Sequence, residues 1–202
     1  MAEQCRIGAM ALELVPASDR LNDYLEADDV VDHRHPLIRE AVYALRPETE
    51  DVVARARATF EFVRDEIEHV IDADDARVTW RASDVLRERV GICYAKAHLL
   101  AALLRAQGIP AGFCYQKFGA LHGLNAVFIH GTWSRLDPRG NRTGADGQFD
   151  LEVEHLAWPI DPAAGDVDHP QIFAAPAPVV LDFLMAAEPG HRWYEKTLPA
   201  AL

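Results

Sequence analysis

"RVGICYAKAHLLAALLRAQGIPAGFCYQ" (residues 89–116) decides how this chain folds. Leu99, Leu100, Leu103 and Leu104 stand among several alanines, so the segment is apolar nearly all round and reads as a buried central helix. Gly108 suits the end of that helix, and Pro110 prevents its continuation. Beyond the Gly-Ile-Pro break the period changes to two. "AGFCYQKF" (111–118), "LNAVFIH" (124–130) and "TWSRLDP" (132–138) read as three strands, with His130-Gly131 at a hairpin turn.

Upstream, the pattern is helical. "HPLIREAVYALRP" (35–47) lies between Pro36, suited to a first turn, and Pro47, a stop. The next segment, residues 49–71, has Thr49 as a candidate cap and Glu50 and Asp51 as favourable first-turn charges. Val52, Val53, Ala56, Phe60, Val63 and Ile67 recur there at helical spacing. "DADDARVTW" (72–80) reads as a solvated connection, and "ASDVLRERVG" (82–91) as a short helix closing at Gly91. Residues 5–15 and 149–160 read as further strands, 141–148 as a polar loop and 176–190 as a terminal helix. Helices first and an antiparallel sheet after them make an α+β pattern. The expected organisation is a single domain over 1–202: a helical N-terminal part (1–75), a core (76–160) and a C-terminal extension packed on it (161–202).

The chain has 202 residues, 50% hydrophobic and 26% charged, as befits a folded domain with a real core. Its formal net charge of -12 would be repelled by phosphate backbones and anionic lipid, so neither nucleic acid nor a membrane surface is expected as a partner. The N-terminus lacks a basic region, and no window reaches transmembrane length; the expected location is cytoplasmic.

Three cysteines, widely spaced and without a CxxC pair, argue against a disulfide framework or a zinc ribbon. Cys114 lies mid-strand between Phe113 and Tyr115 and reads as a small buried residue, and Cys5 near the terminus as structural. Cys93 opens the buried helix. Unpaired backbone N–H groups and the positive dipole end gather in that turn and favour a thiolate, and the same N–H groups can hold a developing oxyanion.

A nucleophilic cysteine needs a base and an acceptor that orients it. His122 stands at the start of one strand segment and Asp137 at the end of the next. With the turn at His130-Gly131 the two lie diagonally across the hairpin; with the loop shifted one residue towards Ile129 they lie directly opposite. Both registers put them on one sheet face, within ~5–8 Å between Cβ atoms.

Three ordered blocks resemble the transglutaminase-like superfamily over residues 82–141: "SDVLRERVGICYAKAHLLAALLRAQGIPA", "HGLNAVFIHGTWSRL" and the closing Leu-Asp-Pro. The resemblance implies a papain-like core, in which a central cysteine-bearing helix packs on an antiparallel sheet. It implies Cys93 as nucleophile, His122 as base and acid, and Asp137 as the orienting group. It also suggests a further oxyanion or cleft donor, for which Trp80, Lys96 and Asn125 are the candidates. The chain departs from the family's His-Ala-Trp-x-Glu-Val in "HGLNAV", where Leu124 replaces the aromatic residue and Asn125 lies near the usual Glu. It also lacks the zinc CxxC pairs of the peptide-N-glycanase branch and the Arg-Gly-Gly-x-Cys of arylamine N-acetyltransferases.

The implied activity is thiol chemistry on an amide or peptide bond, through a thioester, with a peptide or protein as substrate and no cofactor or metal. Water would resolve the thioester in a peptidase or amidase, and an amine in a transglutaminase; hydrolysis is the expectation. A catalytically idle peptide- or protein-binding domain is the alternative from another class. His33 with His35, and His69 with Asp72 and Asp74, are weak metal-ligand patterns lacking an evident further ligand. "HLAWPIDP" (155–162), with His155 and Trp158, and "HPQIFAAPAP" (169–178) are expected to wall the site. The oligomeric state is not legible.

Overall fold

The computed structural model describes residues 12–140, 142, 144–195 and 198–202. The elements in chain order are β1 (Val15–Pro16), α1 (Pro36–Ala44), α2 (Val52–Glu66), β2 (Glu68–His69), α3 (Val70–Ala73), α4 (Ala82–Glu88), β3 (Val90–Gly91), α5 (Cys93–Arg105), β4 (Ala111–Phe118), β5 (Ala120–Ile129), β6 (Thr132–Leu136), β7 (Val167–Asp168), β8 (Gln171–Ile172) and α6 (Pro178–Ala186). The fold is α+β. Its main sheet is antiparallel in the order β6-β5-β4-β7, and α5 packs against β4 and β5 on one side and α2 and α4 on the other.

All thirteen residues of α5 are buried. Leu99, Leu100, Leu103 and Leu104 are fully out of solvent, each side chain contributing roughly 1.5–3 kcal/mol by burial. Such a helix can carry polar side chains only where the backbone around it supplies partners. Arg105 donates to the carbonyls of Ala111, Glu26 and Ala174, and the His98 ring meets the carbonyl of Trp80. The helix ends at Arg105, before Gly108, whose positive φ of 73° turns the chain out. The Ile109 N–H then returns to the Leu104 carbonyl.

Several boundaries differ from the sequence expectation, each for a local reason. Asp51, not Thr49, caps α2: its carboxylate accepts the N–H groups of Val53 and Ala54, while the Thr49 hydroxyl accepts the N–H of Asp51. That helix stops at Glu66 because residues 68–69 pair in parallel with β3, Glu68 with Val90 and His69 with Gly91. The loop at 72–80 begins with the end of the one-turn helix α3. Helix α4 closes on Arg89 in the left-handed region (φ 57°), leaving Gly91 to the β3 pairing. Residues 149–160 form no strand; the stretch runs as a loop along the sheet. Of the described residues in the strand expected over 5–15, only Val15 joins β1, which pairs with β8; residues 1–11, with Cys5, lie outside the described residues.

The hairpin of β5 and β6 turns on His130 (φ 51°) and Gly131 (φ 86°), both left-handed, as a two-residue turn of the right twist demands. Ile129 pairs with Thr132 and Asn125 with Leu136. Strand β5 begins at Ala120, so His122 sits inside it and not at its start.

Candidate active site

Cys93 is the first residue of α5. The capping position before it is Ile92, extended and without a side-chain acceptor. The orphan N–H of Cys93 therefore needs another partner. It donates to Nε2 of His69 at 3.0 Å. The short β2–β3 pairing makes this contact possible, because it fixes His69 beside Gly91, two residues ahead of the cysteine.

The register of β5 and β6 sets the second half of the site. Continuing the Asn125–Leu136 pairing places His122 and Asp137 in diagonal positions on one face, the first of the two registers expected. His122 Nε2 donates to Asp137 Oδ2 at 2.8 Å, which leaves Nδ1 as the other ring nitrogen. Asp137 is fully buried and strongly held: its Oδ1 accepts the N–H of Arg139 at 3.1 Å, and Oδ2 also accepts the N–H of Ala157 at 3.0 Å.

Burial alone would raise the pKa of Asp137. The His122 charge, its hydrogen bond and the two backbone N–H groups outweigh burial and hold the carboxyl below its ordinary 3.8. Burial would lower that of His122, but the Asp137 charge, the hydrogen bond to it and the interaction with Cys93 push the imidazole up to about 10. His122 is therefore an imidazolium at neutral pH, held by a carboxylate on one side and interacting with the sulfur of Cys93.

Cys93 and His122 line one cavity of about 530 Å³, together with His69, Arg139, Trp158 and a mostly apolar remainder that includes Phe118. The Trp158 ring meets the His122 ring edge-to-face at 5.2 Å, and Phe118 packs against both. These aromatics pack around the imidazole that Asp137 holds. Arg139, buried, pairs with Asp72 at 2.6 and 3.1 Å, and its guanidinium lies over Trp158 at 5.6 Å. Its charge is thereby balanced at the cavity wall.

Cys114 differs from Cys93. Cys114 is fully buried against Tyr24, Leu124, Ala126 and Ile172, and burial pushes its thiol up to about 12. Cys93 keeps 7% exposure at the cavity wall. Cys5 lies outside the described residues.

Trp80, Lys96 and Asn125, the expected oxyanion or cleft groups, do not line this cavity. Trp80 packs against the core and under Arg81. Asn125 lies in the core, its amide donating to the carbonyls of Ala97 and Gly112. Lys96 opens onto a neighbouring polar cavity, where its ammonium donates to the carbonyls of Ile67, Arg64 and Arg139 at 2.5, 3.2 and 3.4 Å. The expected wall is half present: Trp158 and Pro159 line the cavity, whereas His155 and residues 169–178 do not.

His33 meets the Leu25 carbonyl and His35 caps α1, and among the described residues no group of three His, Cys, Asp or Glu side chains converges to hold a metal. The site residues that sequence reasoning missed are His69, Phe118 and the Arg139–Asp72 pair. His69 and Asp72 were visible only as a weak metal pattern, because a two-residue parallel pairing leaves no periodic signal.

The sequence pattern described as "Transglutaminase-like superfamily" matches residues 39–138. No curated protein matches the chain. Among solved structures, one described as a putative cysteine protease from Cytophaga hutchinsonii is similar at 25% identity and a TM-score of 0.51, covering 63% of this chain and 46% of that one. A putative protease from Parabacteroides distasonis ATCC 8503 has 15% identity and a TM-score of 0.41, covering 58% of this chain and 25% of that one. A structure described as a TGase has 17% identity and a TM-score of 0.41, covering 71% and 42%. The chain thus spans less than half the length of each of these three. Through residues 39–138, the chain carries a domain of the transglutaminase-like superfamily.

Proposed function

We propose that this chain is a thiol enzyme acting on an amide or peptide bond, a cysteine peptidase or amidase. The observation that carries the reading is the convergence of Cys93, at the start of a buried helix, and the 2.8 Å His122–Asp137 pair on one cavity. A cationic imidazole beside a cysteine favours the thiolate, the nucleophilic form.

The sulfur of Cys93 attacks the carbonyl carbon, and the carbonyl π pair moves onto oxygen. As the C–N bond breaks, His122 gives its Nδ1 proton to the leaving amine, and a thioester remains. The sulfur now carries no charge, so its contribution to holding the proton on His122 is gone. The neutral imidazole takes a proton from water, the resulting hydroxide adds to the thioester, and the acid departs as the thiolate–imidazolium pair re-forms. Asp137 holds Nε2 throughout, so that Nδ1 is the nitrogen that exchanges protons.

The test is incubation with a proteome-derived peptide library, with and without a dansylated primary amine, using Cys93→Ala as control. New peptide N-termini that require Cys93 support hydrolysis. Amine incorporation without new N-termini would make the chain an acyltransferase, and no Cys93-dependent change of either kind would remove the enzyme reading.

A further inference from the structure

We infer that the outer edge of β5 at Leu121 is a subsite for an extended peptide bearing a leucine-sized apolar side chain, and that residues 198–199 of the chain itself occupy it. The inference rests on the proposed thiol chemistry and names the kind of substrate its cleft takes.

Strand β5 outruns its neighbour β6. The two pair only from Asn125–Leu136 to Ile129–Thr132, whereas β4 follows β5 back to Ala120. Residues 120–122 therefore have β4 on one side and no strand of the described residues on the other. In an antiparallel strand the N–H and C=O of one residue point to the same edge. The Leu121 carbonyl accepts the hydroxyl of Tyr94, the residue after Cys93, so this open edge faces the first turn of α5. The Leu121 N–H leaves on that edge too, and it donates to the Pro199 carbonyl at 2.7 Å. Leu198, the residue before, lines the cavity of Cys93 and His122 together with Ile71, Ile92, Phe118 and Leu121. A strand edge that offers a backbone donor beside an apolar wall that receives a side chain is how an extended peptide is recognised. Here a leucine side chain meets the wall and the next carbonyl takes the donor, which states the chemistry of the occupant.

The internal occupant is lightly held. Among the described residues, the Pro199 carbonyl makes the one hydrogen bond between residues 198–202 and the rest of the chain. Proline has no N–H to return to the strand. Leu198 is only partly buried, and Ala200, Ala201 and Leu202 are exposed. A peptide from outside that presents the same side chain and carbonyl displaces the segment. Its apparent affinity is lowered by the fraction of molecules whose own segment holds the edge.

The test is fluorescence anisotropy with a fluorescein-labelled copy of residues 196–202, Lys-Thr-Leu-Pro-Ala-Ala-Leu, on full-length protein carrying Cys93→Ala so that nothing is cleaved. With Leu198→Gly added, the internal leucine no longer holds the wall, and the probe should bind at least about tenfold more tightly than to the protein that keeps Leu198. A probe with aspartate in place of its first leucine, or with a methylene in place of its proline carbonyl, should bind at least about fivefold more weakly. Equal affinity for the two proteins, binding to neither, or indifference to either change in the probe overturns the subsite. If Leu198→Gly does not fold, Leu198→Ala carries the comparison. The thiol chemistry is read separately, in protein carrying Cys5→Ser, as a Cys93-dependent burst of p-nitrophenolate when p-nitrophenyl acetate forms the S-acetyl enzyme. Absence of that burst refutes the thiol chemistry and leaves the subsite standing.

Discussion

A Cβ at Gly123 would lie 2.7 Å from Cδ1 of Tyr94 and 3.4 Å from its Cα. Gly123 follows His122, and Tyr94 follows Cys93, so the glycine is where the histidine strand and the cysteine helix touch. The Tyr94 ring cannot swing aside freely: it is 1% exposed, and its hydroxyl donates to the Leu121 carbonyl on the same strand.

Gly123→Ala therefore pushes the first turn of α5 away from β5. The expected cost is about 1–3 kcal/mol of stability, typical of overpacking. Turnover should fall by more than that loss explains, since a shift of an ångström between nucleophile and base is costly. Urea unfolding and the burst with p-nitrophenyl acetate measure the two effects; an unchanged burst would show that the sulfur and imidazole are not positioned by this contact.

The His122–Asp137 pair gives stability a pH signature. The folded imidazole is raised to about 10 from 6.5, so its contribution is complete below about pH 6.5 and is lost as pH rises towards 10. Asp137 is depressed, so its contribution is present above 3.8 and is lost as pH falls through its lowered folded value. Lys96 works against the alkaline trend: burial, reinforced by Arg139, lowers it to about 7, so its contribution grows as pH rises above 7. The clean readout is the difference in melting temperature between the parent and His122→Gln, which should shrink steadily from pH 6.5 to 10. A constant difference would mean that His122 is not held as an imidazolium.

Asp137→Asn keeps the shape of the pair and removes its charge. We expect kcat/KM to fall by about 10²–10⁴-fold, because the imidazole loses both the charge that holds its proton and the acceptor that fixes Nε2 as donor. Steady-state kinetics on any substrate found in the peptide screen tests this, and a loss below about threefold would contradict an orienting role.

Lys96 fastens α5 to the end of α2 and to the loop after Asp137 through three carbonyls. Lys96→Met leaves those carbonyls without this donor and should cost about 1–3 kcal/mol. The urea midpoint should fall at unchanged slope; no shift would mean the ammonium contributes only what a buried methionine would.

Much of this was legible in the sequence, and the reasons differ by element. The run from Leu99 to Leu104 and the period-two segments after Pro110 identified the central helix and the sheet, because their burial imposes the pattern directly. The His130-Gly131 turn left two registers open, both with His122 and Asp137 on one face, and the structure adopts the diagonal one. The contacts that depend on pairing across long sequence separations were not legible. His69 reaches Cys93 through four residues of parallel strand; Trp158 was expected at the wall, but it arrives on a loop where the alternation suggested a strand. Trp80 and Asn125 were chosen from their place in the chain, and packing assigns each a core partner instead.

The central claim is that His122 makes Cys93 the reactive thiol. Iodoacetamide labelling of the native Cys5→Ser protein at neutral pH, mapped by mass spectrometry, tests it most directly. The account predicts label on Cys93 and none on Cys114, with the Cys93 rate falling about tenfold or more in His122→Ala. Equal labelling of the two cysteines, or a Cys93 rate indifferent to His122→Ala, would contradict it.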